Sequence, residues 1–382
     1  MRRVRAIDIA DLRRLAQRRL PRFLFGYVDG GGYQEETLRR NRSDIEKLCL
    51  VPRSLQDVSK RKISKKILGF EASMPVVLAP VGALGFTSPN GEAAAARAAQ
   101  KRGVPFCLST VSIGTIEDVA EATGAPFWFQ LYMFRDRGIS VGLIERAKAA
   151  GCSTLVLTVD THVRSQRHRE LKGGLRAPLT PTIPMAFDSL CHSTWLLPML
   201  TSRRRTFGNL MGLVPQASNV AKMSEFIAAE MDSTIGVKDI EWLRARWPGK
   251  LVVKGLMHPE DARDAFNAGA DGVVISNHGG RQADGVASTA SMVPRIVEAV
   301  KGQGQVLVDG GIRSGVDVLK MLALGADACL IGRAFIYGLA ASGHAGVERA
   351  LEIIETELDQ NMGLCGITDI ECLPSDLLLS NH

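Results

Sequence analysis

Eight short apolar runs, each closing on polar residues, decide what this chain can fold into. They are Pro75–Pro80, Pro105–Thr110, Phe127–Tyr132, Thr154–Asp160, Leu251–Gly255, Gly272–Asn277, Gln305–Gly310 and Ala328–Arg333. Runs of this length, punctuated by glycine and proline, read as buried strands. Helix-compatible stretches such as Gly91–Gln100 and Val141–Ala150 lie between them. Gly103, Gly151, Gly269 and Gly325 stand just before strands, where helix C-caps favour a left-handed residue. Eight such units predict a TIM-type (β/α)8 barrel, with an open doubly wound sheet as the alternative arrangement. The chain is 46% hydrophobic but only 5% aromatic, so small apolar side chains dominate, as helices packed closely on a sheet require.

One interval breaks the rhythm. About 90 residues separate Asp160 from Leu251, more than one loop and one helix need. The expected organisation is a single domain over residues 1–382. Residues 1–70 form an N-terminal helical cap that brings Tyr27 to the barrel mouth. The barrel occupies 71–345, with an insertion at about 171–235 after strand four, and a helical tail follows at 346–382.

Charge narrows the partners. The formal net charge is +7, and arginines gather at Arg2, Arg3 and Arg5, at Arg13, Arg14, Arg18, Arg19 and Arg22, and at Arg203, Arg204 and Arg205. Such clusters suit anionic surfaces, but no nucleic-acid motif or aromatic platform accompanies them, so nucleic acid is not an expected partner. Trp195–Leu200 is apolar and abuts the last cluster. Within about 190–210 it reads either as a peripheral contact with an anionic membrane or as a lid or oligomer contact. Residues 72–91 carry no charge, but Pro75, Pro80 and Pro89 argue against a spanning helix. Seven scattered cysteines without a CxxC pair point to a reducing compartment and against a disulfide frame or a metal site. The first residues hold no secretory apolar core, so the expected location is the cytoplasmic side, peripheral on the inner membrane.

The polar residues that close the strands are the candidates for chemistry, because barrels of this type work at their strands' C-terminal ends. They include Ser109, Gln130, Tyr132, Thr158, Asp160, Lys254, Ser276, His278, Asp309 and Arg333. His278-Gly279-Gly280-Arg281 combines a group that moves protons near neutral pH with one that grips a carboxylate through two hydrogen bonds. A lone histidine on a turn is usually just a satisfied side chain; polar tips on nearly every strand make a site. Asp309-Gly310-Gly311-Ile312-Arg313 and Gly332-Arg333 follow the last two strands, where glycines expose backbone N–H groups to a phosphate.

These residues, with Leu20–Gly31, Leu157–Asp160 and Lys254-Gly255, resemble the FMN-dependent α-hydroxy-acid oxidases and dehydrogenases over about residues 8–378. The resemblance implies FMN held by Ala79, Pro80, Val81, Ser109, Gln130, Thr158, Lys254 and Ser276, with its phosphate on Asp309, Gly311, Arg313, Gly332 and Arg333. It implies His278 as base, Asp160 as its orienting partner, and Tyr132 at the reacting centre. The carboxylate of a small 2-hydroxy acid would meet Arg281, Arg167 and Tyr27, with Arg164 and Arg169 as rivals to Arg167. The implied reaction is oxidation of an L-2-hydroxy acid to the 2-oxo acid with a quinone-type acceptor; use of O2 is the alternative. Phe23-Leu24-Phe25, Leu38–Asn41 and Ala79–Gly82 are similar to bacterial members acting on L-lactate. Members acting on (S)-mandelate are near relatives, and Gly82 beside the flavin implies room for an aryl group. Family members are often tetramers.

Overall fold

A computed structural model describes residues 4–163, 165–175, 182–204, 206–214 and 220–379. Arg2, Arg3, Arg164 and Arg205 lie outside the described residues.

All eight strands form where the apolar runs place them: Val76–Leu78, Cys107–Ser109, Trp128–Leu131, Thr154–Thr158, Lys250–Leu256, Gly272–Ile275, Gln305–Val308 and Ala328–Ile331. Neighbours pair in parallel from the second strand round to the eighth, and the eighth pairs with the first. A parallel bridge between Leu78 and Phe106 joins the first strand to the second and closes the ring. The open-sheet alternative is thereby excluded.

Successive strand residues face opposite sides, and this period orders the interior. Val77, Cys107, Trp128, Val156, Val252, Val274, Leu307 and Leu330 pack together inside the barrel. Two residues further along come Ala79, Ser109, Gln130, Thr158, Lys254, Ser276 and Asp309. The interior therefore changes from apolar to polar within one step of the pleat, at the C-terminal end. The opposite face of each strand joins the larger core shared with the helices.

The N-terminal segment is helical over Ile9–Arg19, Arg22–Asp29 and Glu36–Lys47 but not throughout. Lys65–Ile67 and Phe70–Ala72 form an antiparallel hairpin, and its Ile67, Leu68 and Ala72 pack into the barrel's apolar interior. The hairpin plugs the barrel's lower end, which the expectation of a purely helical cap missed. The tail also departs from expectation. The last helix, Arg333–Leu364, kinks at Ser342-Gly343 and continues to Leu364, and the described residues beyond Gly366 are not helical.

The insertion carries helices His168–Lys172, Ile183–Cys191, Ser193–Leu200 and Val220–Glu230 before the barrel resumes with Val237–Arg244. Asn209 staples it down. The fully buried Asn209 amide donates to Ser109 O (3.1 Å) and Ser112 Oγ (2.9 Å) and accepts from Ile116 N (2.8 Å). Asn209→Ala leaves these buried groups unpaired and is expected to cost about 1–3 kcal/mol. Thermal unfolding checks this: an unchanged midpoint contradicts the staple.

Candidate active site

The strand ends surround a cleft of about 980 Å³, open solvent included. Its lining brings together Tyr27, Ala79, Pro80, Val81, Tyr132, Arg167, Lys254, His278, Arg281, Asp309, Gly311, Arg313, Gly332 and Arg333. Of the other expected residues, Ser109, Gln130, Thr158 and Ser276 lie buried at the level of Lys254, and Asp160 stands behind His278.

His278 takes a left-handed backbone (φ 58°), uncommon for a residue with a side chain. Its N–H donates to Ser276 Oγ at 3.0 Å. The Nδ1 edge meets Asp160 at 3.0 and 3.2 Å, which leaves Nε2 as the free ring nitrogen. Burial lowers the imidazole's affinity for a proton, while the Asp160 carboxylate pulls the other way; the net shift is below the ordinary value of 6.5. Burial also works to raise Asp160, but the charge and hydrogen bond of His278 prevail and hold it below 3.8. Gly255 makes the pairing possible: at φ 110° it sits in a register shift of the fifth strand, and a Cβ there would lie 2.7 Å from Asp160 Cβ.

Lys254 is almost fully buried and donates to Ser276 Oγ (2.8 Å) and Asp309 Oδ2 (2.9 Å). Around it, Gln130 Nε2, Thr158 Oγ1 and Asp309 Oδ1 are buried without a hydrogen-bond partner. Buried polar atoms are rarely orphaned. Three at one level of the barrel mark the footprint of a ligand with several polar edges, such as the flavin ring.

Past the C-terminal ends of the last two strands, burial and then Arg313 push Arg333 down to about 9, and burial lowers Arg313 as well. Two buried cations that repel each other call for an anion. Arg333 donates to the carbonyls of Val28 (3.2 Å), Gly279 (2.9 Å) and Gly30 (2.7 Å), so its guanidinium also braces the histidine loop. A Cβ on Gly332 would meet only open space, and Gly311 at φ 83° would drive one into Asn41 O at 2.4 Å. These features suit a phosphate cradle, and the residues present fit FMN.

At the other end, Arg281 stacks over the Tyr27 ring, with its guanidinium carbon 4.9 Å from the centroid. Its Nη1 donates to Tyr27 O (2.6 Å) and Gly30 O (3.0 Å). Arg167 reaches the same cleft, whereas Arg169 turns away to Asp29 at 2.6 Å and also pairs with Glu35. Gly82 and Val111 both line the cleft, and a side chain at 82 has no place: a Cβ there would lie 2.7 Å from Val111 Cγ2 and 3.5 Å from the Tyr27 hydroxyl.

Sequence reasoning passed over two supports. Asn41 and Asn277 exchange amide hydrogen bonds of 2.8 and 2.9 Å, tying the N-terminal cap to the residue before His278. Glu170, buried beside Arg281, is the other. An isolated asparagine or glutamate in a polar segment carries no periodic signal that would single it out.

The profile of the family described as FMN-dependent dehydrogenase matches residues 16–380. An L-lactate dehydrogenase of Ectopseudomonas mendocina (strain ymp) is 47% identical over 373 residues, covering 97% of this chain and 98% of the relative. One from Alcaligenes faecalis is 46% identical over 370 residues, 97% of each. Among solved structures, the monotopic membrane protein (S)-mandelate dehydrogenase superposes with a TM-score of 0.93 at 36% identity, covering 99% of this chain and 100% of that one. A soluble mutant of the membrane-associated (S)-mandelate dehydrogenase from Pseudomonas putida gives 0.84 at 37% identity, covering 98% and 99%. Profile, relatives and structures agree along nearly the whole chain, and the chain belongs to the FMN-dependent dehydrogenase family.

Proposed function

We propose that this FMN-dependent oxidoreductase of 2-hydroxy acids acts on L-lactate and gives pyruvate. The observation that carries the mechanism is the His278–Asp160 pair, 3.0 Å apart, in one cleft with Arg281 and Arg167. FMN, when bound, supplies the two-electron acceptor. The protein's own part is to bind, orient and take a proton. Arg281 and Arg167 grip the substrate carboxylate, with Tyr27 beside them, and Tyr132 faces the reacting carbon. His278 Nε2 takes the proton, and Asp160 orients the ring and stabilises the imidazolium. Lys254 would supply a buried cation to the bound flavin, and Arg313, with the Gly311 and Gly332 backbone, would hold its phosphate.

The relatives' names support L-lactate. Side-by-side turnover of L-lactate, (S)-mandelate and glycolate tests this; faster turnover of mandelate overturns the choice.

The base assignment fixes a pH dependence. Because burial holds His278 below 6.5, it is neutral at pH 7, so kcat/KM is flat there and falls only as pH drops through the lowered value. Asp160 is the group that raises it. Asp160→Asn is therefore expected to slow turnover and to move the acid limb to lower pH. An acid limb that moves up contradicts the pairing.

The acceptor reading is quinone at a membrane surface. No helix of the described residues is long and apolar enough to cross a membrane. Ile183, Phe187 and Leu190 share one face of their helix and are 87%, 69% and 67% exposed, with Leu197 and Leu200 following. Trp195 does not join them: it is buried and donates to Phe86 O at 2.9 Å. The arginine cluster is also thinner than expected, since Arg204 bonds Asp118 at 3.0 Å while Arg203 stays exposed. The higher TM-score against the monotopic form (0.93) than against a soluble mutant (0.84) supports this reading. Phe187→Glu with Leu190→Glu is expected to abolish flotation with anionic vesicles; retained flotation contradicts it. Peroxide formation at the full turnover rate would favour O2 over quinone.

A further inference from the structure

The carboxylate end of the cleft holds a charged group that the proposed reaction does not use. Glu170, on the short helix His168–Lys172, is only 6% exposed. Its Oε1 accepts from Arg281 Nη2 at 2.8 Å and lies 3.5 Å from Arg167 Nη1. A buried carboxylate is costly unless cations compensate it, and here two do. Of the other charged groups, Lys254 pairs with Asp309 at 2.9 Å, Asp160 accepts from the His278 ring at 3.0 Å, and Arg313 and Arg333 lie at the phosphate end of the cleft. Two guanidiniums against one carboxylate leave a single uncompensated positive charge where the substrate's acid group arrives. The bond also fixes geometry. With Nη1 held by Tyr27 O and Gly30 O, and Nη2 by Glu170, the plane of the Arg281 guanidinium has no freedom to turn.

Resting on the reading of Arg281 and Arg167 as the carboxylate clamp, we propose that Glu170 is a specificity-determining residue that restricts this site to 2-hydroxy acids bearing one negative charge. Coulomb energy scales with the product of the charges, so a dianion meets Glu170 with twice the repulsion of a monoanion. Cancelling one arginine removes the extra attraction that a second carboxylate would otherwise find. The substrate class is therefore 2-hydroxy monocarboxylates, with hydroxy diacids turned away by charge as much as by size.

Oxamate and oxalate are nearly the same shape and carry one and two negative charges, so they separate charge from fit. Each is titrated into the FMN-loaded protein and followed by the change in the flavin spectrum, which needs no turnover. Glu170→Gln is expected to shift the oxalate-to-oxamate affinity ratio at least tenfold toward oxalate, while Glu170→Asp keeps the original ratio. A shift below threefold, with both ligands still binding, overturns the proposal and leaves the clamp intact. If neither ligand perturbs the unaltered holoenzyme, the clamp reading fails and the proposal with it. Should Glu170→Gln not fold, the unaltered protein provides the second arm. Its turnover of a hydroxy diacid, relative to a monoacid at the same pH, is expected to rise as pH falls through the pKa of the second carboxyl. A flat ratio overturns the proposal.

Discussion

His278→Gln is expected to bind FMN like the unaltered protein and to lose about 10²–10⁴-fold in the rate at which L-lactate bleaches the flavin. Glutamine has similar reach and can still accept a bond, so the loop held by Ser276 Oγ and the Asn41–Asn277 clasp has no reason to open. What disappears is a nitrogen able to carry a proton. Asp160 already occupies Nδ1, so in the unaltered protein Nε2 is the only ring position free to receive one. Neither Lys254 nor Tyr132 can substitute: Lys254 is tied to Asp309 and held in its charged form, and burial pushes the Tyr132 phenol well above its ordinary value. Rapid mixing under anaerobic conditions measures the rate directly. Bleaching at the normal rate with flavin bound contradicts the base assignment.

Lys254→Met is expected to damage cofactor binding and stability together. The ammonium is 4% exposed and is the partner of Asp309, itself buried. Methionine fills the volume but leaves a buried carboxylate without its cation, a loss of about 3–5 kcal/mol. The same change removes the positive charge from the floor where Gln130, Thr158 and Asp309 present their unpaired atoms. Weaker FMN binding by titration and a lower unfolding midpoint of the protein without added FMN are both expected. Lys254→Met, Asp309→Asn should recover part of the midpoint but not the FMN affinity, because only the burial defect is repaired. A single variant with normal midpoint and affinity contradicts the assignment.

The barrel was legible because its strands are uninterrupted apolar runs, and a run such as Val252-Val253 or Val273-Val274 has few other uses. The polar ends were legible for the same reason: beside such runs, Lys254 or Asp160 stands out. Arg167 was separable from Arg164 and Arg169 only by spacing from Asp160, and the structure places it in the cleft while Arg169 pairs with Asp29. What stayed hidden were partnerships at long range. Arg281 and Glu170 are 111 residues apart, and Asn41 and Asn277 are 236 apart. Nothing in either local segment declares the contact. The hairpin at Lys65–Ala72 was missed because it is short and mixes lysines with apolar residues, so its burial pattern emerges only against the barrel floor.

In the proposed reaction this cleft takes electrons from a 2-hydroxy acid with His278 as base. The absorption spectrum of the FMN-loaded protein, mixed anaerobically with L-lactate, tests it most directly. The expected result is full bleaching of the flavin band with one pyruvate formed per flavin. A flavin that stays oxidised with L-lactate, (S)-mandelate and glycolate alike would contradict the account.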